Sequence, residues 1–228
     1  MTSRMSFDEF NNLSPEEISE QKVKKFVKEY FDVMDLPESE KKKREELSIG
    51  IYEVMLFIFS LFSAMLESGY VDDEYLLSEL KKRYKSEVSK YIKDATYLNN
   101  YIDDFCEQAI NTTVKHVLDR NDTSYNDDLE ENYYLSQERA LVNGVNEGNS
   151  IFNQDDYINA KDSGKKTKTW ISERDERVRK THLEADSQTV LIDEPFVVGD
   201  SLLLYPKDTS LGASASEIVN CRCTVIYN

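Results

Sequence analysis

One histidine and two cysteines in the last quarter of the chain, His182, Cys221 and Cys223, are the side chains best suited to hold a borderline-soft metal ion. Zinc accepts imidazole nitrogen and thiolate sulfur together, and Asp175 or Asp186 could complete a set of four. The spacing is unusual. Paired zinc ligands normally have two or more residues between them, whereas one residue separates these thiols. On an extended strand two such side chains point to opposite faces, so both reach one ion only across a turn or bulge. The simpler alternative is that the cysteines fill a small core and His182 hydrogen-bonds a turn. A disulfide between Cys221 and Cys223 would close a very tight ring and is discounted. No other cofactor is implied. Cys106, beside Phe105 in a helical pattern, reads as a small buried hydrophobe.

Charge surrounds this set. Arg174, Arg177, Arg179 and Lys180 lie just before His182, and Lys161, Lys165, Lys166 and Lys168 precede them. Residues 161–180 hold eight basic and four acidic side chains, in a chain whose net charge is -16. This segment offers a contact surface for DNA phosphates or for an acidic protein, with Lys165, Lys166 and Lys168 as the expected contacts. Arg177 and Arg179 are expected instead to tie loops by bridging Asp175, Glu176 or Asp193. Asp193-Glu194 before Pro195 reads as a turn rim rather than an acid–base pair. Residues 1–160 carry 18 basic against 33 acidic side chains, a poor match to a phosphate backbone and a good match to a solvated helical surface. There is no phosphate-cradling glycine loop, nucleophile elbow or His-Glu-x-x-His helix, so no catalytic residue is assigned.

The elements that must position these residues follow from periodicity. Scarce proline and glycine favour long helices. Ser14, Pro15 and Glu17 mark a helix start, and Val23, Phe26, Val27, Tyr30 and Phe31 continue it until Pro37. A second helix runs from Glu38 to a stop at Ser68-Gly69, and its Ile49–Leu66 stretch is almost wholly apolar. That stretch approaches bilayer length, but Glu53 and Gly50 interrupt it. It reads as buried on most faces, in a bundle core or between subunits of a homo-oligomer, with membrane insertion the minority reading. Asp72 to Glu74 opens a third helix, Thr96–Leu118 forms a fourth, and Asp119–Asp128 is a loop or hinge. A further helix covers about Leu129 to Lys161, with Ala140, Gly144 and Gly148 on one face for close backbone approach. Beyond Lys165, strands are expected at 167–171, 190–192, 202–205 and 224–227, with a helical turn at 179–184. Trp170 should anchor this module's core, and Asn220 should satisfy backbone groups in a tight turn. The expectation is an α+β chain: a helical body (1–128), a connecting helix (129–164) and a small C-terminal α+β module (165–228).

Trp170, then Asp175, Arg177 or Arg179 and His182, then Asp193, Glu194 and Phe196, then Tyr205-Pro206 and Asn220-Cys221-Arg222-Cys223 fall in an order that resembles the C-terminal domain of the Mu F-like head morphogenesis proteins of tailed phages. The preceding Glu138, Arg139, Ala140, Asn146, Glu147 and Gly148 look like the helix leading into that domain. One departure stands out: the family usually places glycine after the acidic residue of the turn following the histidine, and here Ser187 follows Asp186. If that position needs a positive φ, serine is strained there. The resemblance implies a non-enzymatic minor virion component, made in the host cytoplasm. It would bind portal or capsid protein inside the procapsid and in some cases be ejected with DNA. Related modules fused to toxin domains supply the alternative, a metal-dependent hydrolase or toxin-like effector using His182 and Cys221/Cys223.

Overall fold

The structure is a computed structural model that describes residues 20–121 and 133–228. The expected helix start at Ser14-Pro15 and most of the expected 119–128 loop lie outside the described residues. The architecture is α+β, mainly helical, with a C-terminal module of short antiparallel strands. The helices are α1 (Glu20–Asp32), α2 (Glu38–Ser68), α3 (Asp73–Val88), α4 (Asn99–Asn121) and α5 (Gln137–Asp162). The module then contains β1 (Thr167–Ile171), α6 (Lys180–Ala185), β2 (Thr189–Leu191), β3 (Phe196–Val198), β4 (Ser201–Leu203), α7 (Ala215–Ile218) and β5 (Thr224–Tyr227). The chain divides into two compact units. One comprises Leu47–Gly144 with the stretch up to Lys24; the other comprises Lys25–Glu46 and Val145–Asn228.

In the first unit, α2 buries one stripe: Leu47, Ile51, Met55, Ile58, Phe59 and Phe62 recur at helical spacing. Within this chain 39% of its most apolar window is buried, and Phe57 on the other side is 40% exposed. By length and composition this helix could cross a membrane. Asp72 caps α3 by accepting the Tyr75 N–H at 2.9 Å, as its side chain and the helix dipole dictate. Leu76, Leu80, Tyr84 and Val88 of α3 and Ile102, Cys106 and Ile110 of α4 are buried. The start of α5 lies so close to α2 that a Cβ on Gly144 would stand 2.5 Å from the Ser48 carbonyl oxygen. Gly144, the middle of the three small residues, thus has its packing reason.

In the second unit, β1 is the middle of a three-stranded antiparallel sheet, order β2-β1-β5, while β3 and β4 form a hairpin. The pleat of β1 turns Lys168 and Trp170 inward and leaves Thr167, Thr169 and Ile171 half-buried. Trp170, Ala185, Phe196, Val198, Leu203, Cys221 and Cys223 make the module's core. Trp170 meets Phe196 edge to face at 5.2 Å between ring centres, which is the anchoring role expected of it. Behind the module, buried Arg44 spans three groups on α5. It donates to Asn149 Oδ1 at 2.9 Å, to Asn153 Oδ1 at 3.2 Å and to Asp156 Oδ2 at 2.6 Å. Asn149 and Asn153 in turn donate to the carbonyls of Cys221 (3.1 Å) and Pro206 (3.0 Å). Buried polar groups cost least when they are bonded. The Asn149 and Asn153 side chains each both accept from Arg44 and donate to a loop carbonyl, which fixes the loops of the site, while Arg44 Nε is buried without a partner.

A buried histidine and two thiols

The six-residue helix α6 buries His182 and Ala185, one turn apart on one face. Cys221 and Cys223 come from the coil between α7 and β5. The turn that both thiols need is present: Cys221 N–H closes on the Ile218 carbonyl at 3.2 Å, and Asn220 adopts φ +56°. Asn tolerates that left-handed conformation better than most residues. Asn146 of α5 clamps it, accepting the Asn220 N–H at 2.7 Å and donating to its side-chain oxygen at 3.0 Å. The turn sends both sulfurs to the histidine, while the guanidinium of Arg222 between them goes to Asp175.

His182 Nδ1 lies 3.3 Å from Cys223 Sγ and 3.6 Å from Cys221 Sγ, and the three ligand atoms all fall within 4.8 Å of one another. A nitrogen and a sulfur sharing a tetrahedral zinc are about 3.6 Å apart, given metal–ligand lengths of about 2.0–2.3 Å. The other imidazole nitrogen, Nε2, is 2.9 Å from Glu217 Oε2, which also accepts the Thr181 hydroxyl at 2.8 Å. A carboxylate behind a ligating histidine fixes its tautomer and ring orientation. All three ligand residues are buried. A crevice of about 10 Å³ reaches them from outside, walled also by Glu173, Arg177 and Arg179. It has room for about one water. The residues present therefore fit a zinc ion with three protein ligands.

The electrostatics favour an anionic sulfur. Burial alone would raise the Cys221 thiol, but hydrogen bonds from Cys223 and His182 and the charge of Lys207 outweigh it and hold it well below its ordinary value. Cys223 is pushed up, first by its hydrogen bond to Cys221 and then by burial. Burial opposes a charge on His182 as well, yet the Cys221 hydrogen bond and charge hold it above its ordinary value. Lys207 is buried, with φ +71°, and donates to the Asn146 side-chain oxygen and, at 3.1 Å, to the Ile218 carbonyl.

The other sequence-predicted residues divide. Asp175 does not join the cluster. Arg222 takes it in a two-pronged pair at 2.7 and 2.8 Å, which answers why an arginine stands between the thiols. Arg177 meets Asp175 through its backbone N–H at 3.0 Å, and Arg179 donates to the Val219 carbonyl. Asp186 accepts the Ser172 N–H at 2.8 Å and pairs with Arg174 instead of facing the thiols. Asp193 pairs with Lys161. Lys165 and Lys166 are exposed, but Lys168 is fully buried, its ammonium on the Leu204 carbonyl at 2.6 Å and over the rings of Tyr157 and Phe196. That burial removes Lys168 from the proposed contact surface. Ser187 has φ +64°, the left-handed turn at which serine was expected to be strained. Sequence reasoning missed Glu217, Lys207 and Glu173; no spacing rule links them to the histidine, since the loops bring them there.

No family model matches the chain, and no solved structure matches it. Over 78 residues it is 37% identical to the NAD(+)--arginine ADP-ribosyltransferase EFV of Enterococcus faecalis. The match takes in 34% of this chain and spans 15% of that enzyme's length. This finding corrects the reading as a non-enzymatic phage head protein: the similarity found is to a protein named for a catalytic activity, and nothing found supports a head or capsid component.

Proposed function

We propose that this chain is a metal-dependent hydrolase of the toxin-like effector kind, with zinc held by His182, Cys221 and Cys223. The observation that carries this reading is the convergence of the three ligand atoms, one nitrogen and two sulfurs within 4.8 Å, around a water-sized crevice. An imidazole and two thiolates select zinc over the hard cations that prefer oxygen. Three protein ligands leave a fourth position, which is the hallmark of a catalytic rather than a closed structural zinc. When bound, the ion would supply Lewis-acid activation of a water at neutral pH. This chain's own part is to present the ligands deprotonated and fixed: Lys207 supports a Cys221 thiolate, Glu217 sets the imidazole, and Asn146 and Asn149 hold the turn that carries the thiols. Similarity to an enzyme over a third of the chain agrees with a catalytic role. The test is the zinc content of the purified chain with and without His182→Ala and Cys221→Ser. Equimolar zinc in the parent and its loss in both variants supports the reading; a metal-free parent under reducing, zinc-supplemented conditions sinks it.

A second reading follows from the named relative: transfer of ADP-ribose from NAD+ to an arginine guanidinium. In that case the histidine and thiols brace the module, because a crevice of about 10 Å³ is far smaller than the several hundred Å³ typical of small-molecule sites. Nicotinamide release from NAD+ in the presence of agmatine separates the two readings.

A further inference from the structure

We propose that Glu173 is the proton-accepting catalytic residue of this centre, working on a water in the crevice; the inference rests on the hydrolase reading above. Glu173 lines the same crevice as His182, Cys221 and Cys223, on the stretch between β1 and α6. Its Oε1 is buried without a hydrogen-bond partner. Its carboxylate also accepts the Asp35 backbone N–H. An orphaned carboxylate oxygen is costly to keep, so a native structure that keeps one has a use for it. Two other carboxylates around the centre are committed: Asp175 to Arg222, and Glu217 to His182 and Thr181. Glu173 Oε1 thus brings an uncommitted lone pair to the lining of the crevice. The charged groups that face it are Arg222, which favours its ionised form, and Asp175 and Asp35, which oppose it. Burial outweighs the arginine and lifts the carboxyl to about 7, the range in which a carboxylate exchanges protons efficiently at neutral pH.

The step balances without a further reagent. A crevice water gives a proton to the Glu173 carboxylate as its oxygen bonds to the electrophilic carbon of an ester or amide. The bond to the leaving group then breaks, and the leaving group takes that proton from Glu173. No electrons are exchanged with any acceptor, and Glu173 ends ionised as it began.

The experiment uses the full zinc-loaded chain with p-nitrophenyl acetate as the probe. Glu173→Gln is expected to keep equimolar zinc and to lose about 100-fold or more in rate. Glu173→Ala is expected to regain part of its rate when formate is added, whereas Glu173→Gln, whose amide fills the space, is not. A Glu173→Gln chain with its zinc and the parental rate overturns the assignment and leaves the metal reading standing, as does a zinc-loaded parent that does not hydrolyse the probe. A parent that binds no zinc overturns both. Infrared titration carries the question without turnover: a protonated-carboxyl band that disappears as pH rises through about 7 should be present in the parent and missing from Glu173→Gln, and its absence from the parent overturns the proposal.

Discussion

His182 Nε2 sits 2.9 Å from Glu217 Oε2, and this contact decides which edge of the imidazole is left for the two thiols. With Nε2 committed to a carboxylate, Nδ1 carries the lone pair that a metal would take. Replacing Glu217 with glutamine keeps the shape and removes the charge. Zinc affinity, measured by competition with a chromogenic chelator, should fall about 10- to 100-fold. Equal affinity in the two chains would mean that the carboxylate merely fills space.

The two-pronged pair of Arg222 with Asp175 sets an acid limit for the module. The Arg222 hydrogen bonds hold the Asp175 carboxyl below its ordinary value. A carboxyl depressed in the folded state contributes stability that is complete above its unfolded value, about 4, and is lost as pH falls through the lower folded value. Asp175→Asn should therefore cost about 2 kcal/mol at pH 7, and the gap from the parent should close in acid. Urea denaturation at a series of pH values checks both the size and the closing.

How far the sequence carried the argument differs from element to element. β1 and β5 were legible to the residue because alternation and β-branched side chains coincide there. β3 was not expected, since Phe196-Val197-Val198 is too short to show a period and follows a proline that marks a turn. The meeting of His182 with Cys221 and Cys223 was legible as a candidate set. The turn that permits it depends on Asn146, 74 positions from Asn220, and no local pattern encodes that clamp. Lys168 is instructive in the other direction. It alternates in phase with Trp170, so the pleat places both on the core face, and reading its charge as exposure overlooked the period.

That burial predicts an alkaline signature. Desolvation pulls Lys168 down to about 8, and Lys207 likewise to about 8. An unfolded lysine keeps its proton to about 10.4. Between these values each of these lysines binds more protons unfolded than folded, so their contribution to stability should rise with pH from about 8 to 10, against the opposite contribution of the raised Cys223 and buried tyrosines. Lys168→Met removes a buried cation and leaves the Leu204 carbonyl without its donor. The rise should shrink in this variant, with stability at pH 7 little changed because the two effects oppose one another. Denaturant midpoints at pH 7, 8, 9 and 10 test this; an unaltered slope would mean that Lys168 titrates as an exposed lysine does.

Gly144 tests the packing of the first unit. Alanine is intrinsically the better helix former by about 1 kcal/mol, so on propensity alone Gly144→Ala should stabilise. The added Cβ, however, would stand 2.5 Å from the Ser48 carbonyl oxygen and 3.1 Å from Tyr52 Cβ, and backbone cannot swing aside as a side-chain tip can. Overpacking of this kind costs about 1–3 kcal/mol, which outweighs the propensity gain at its upper end. Gly50 provides the contrast: there the new Cβ first meets not backbone but the Glu87 side chain, which can give way only by leaving its pairing with Lys90. Gly144→Ala should therefore lower the midpoint of thermal unfolding by a few degrees, and Gly50→Ala by less. The reverse order would mean that α2 and α5 separate more easily than the Ser48 contact implies.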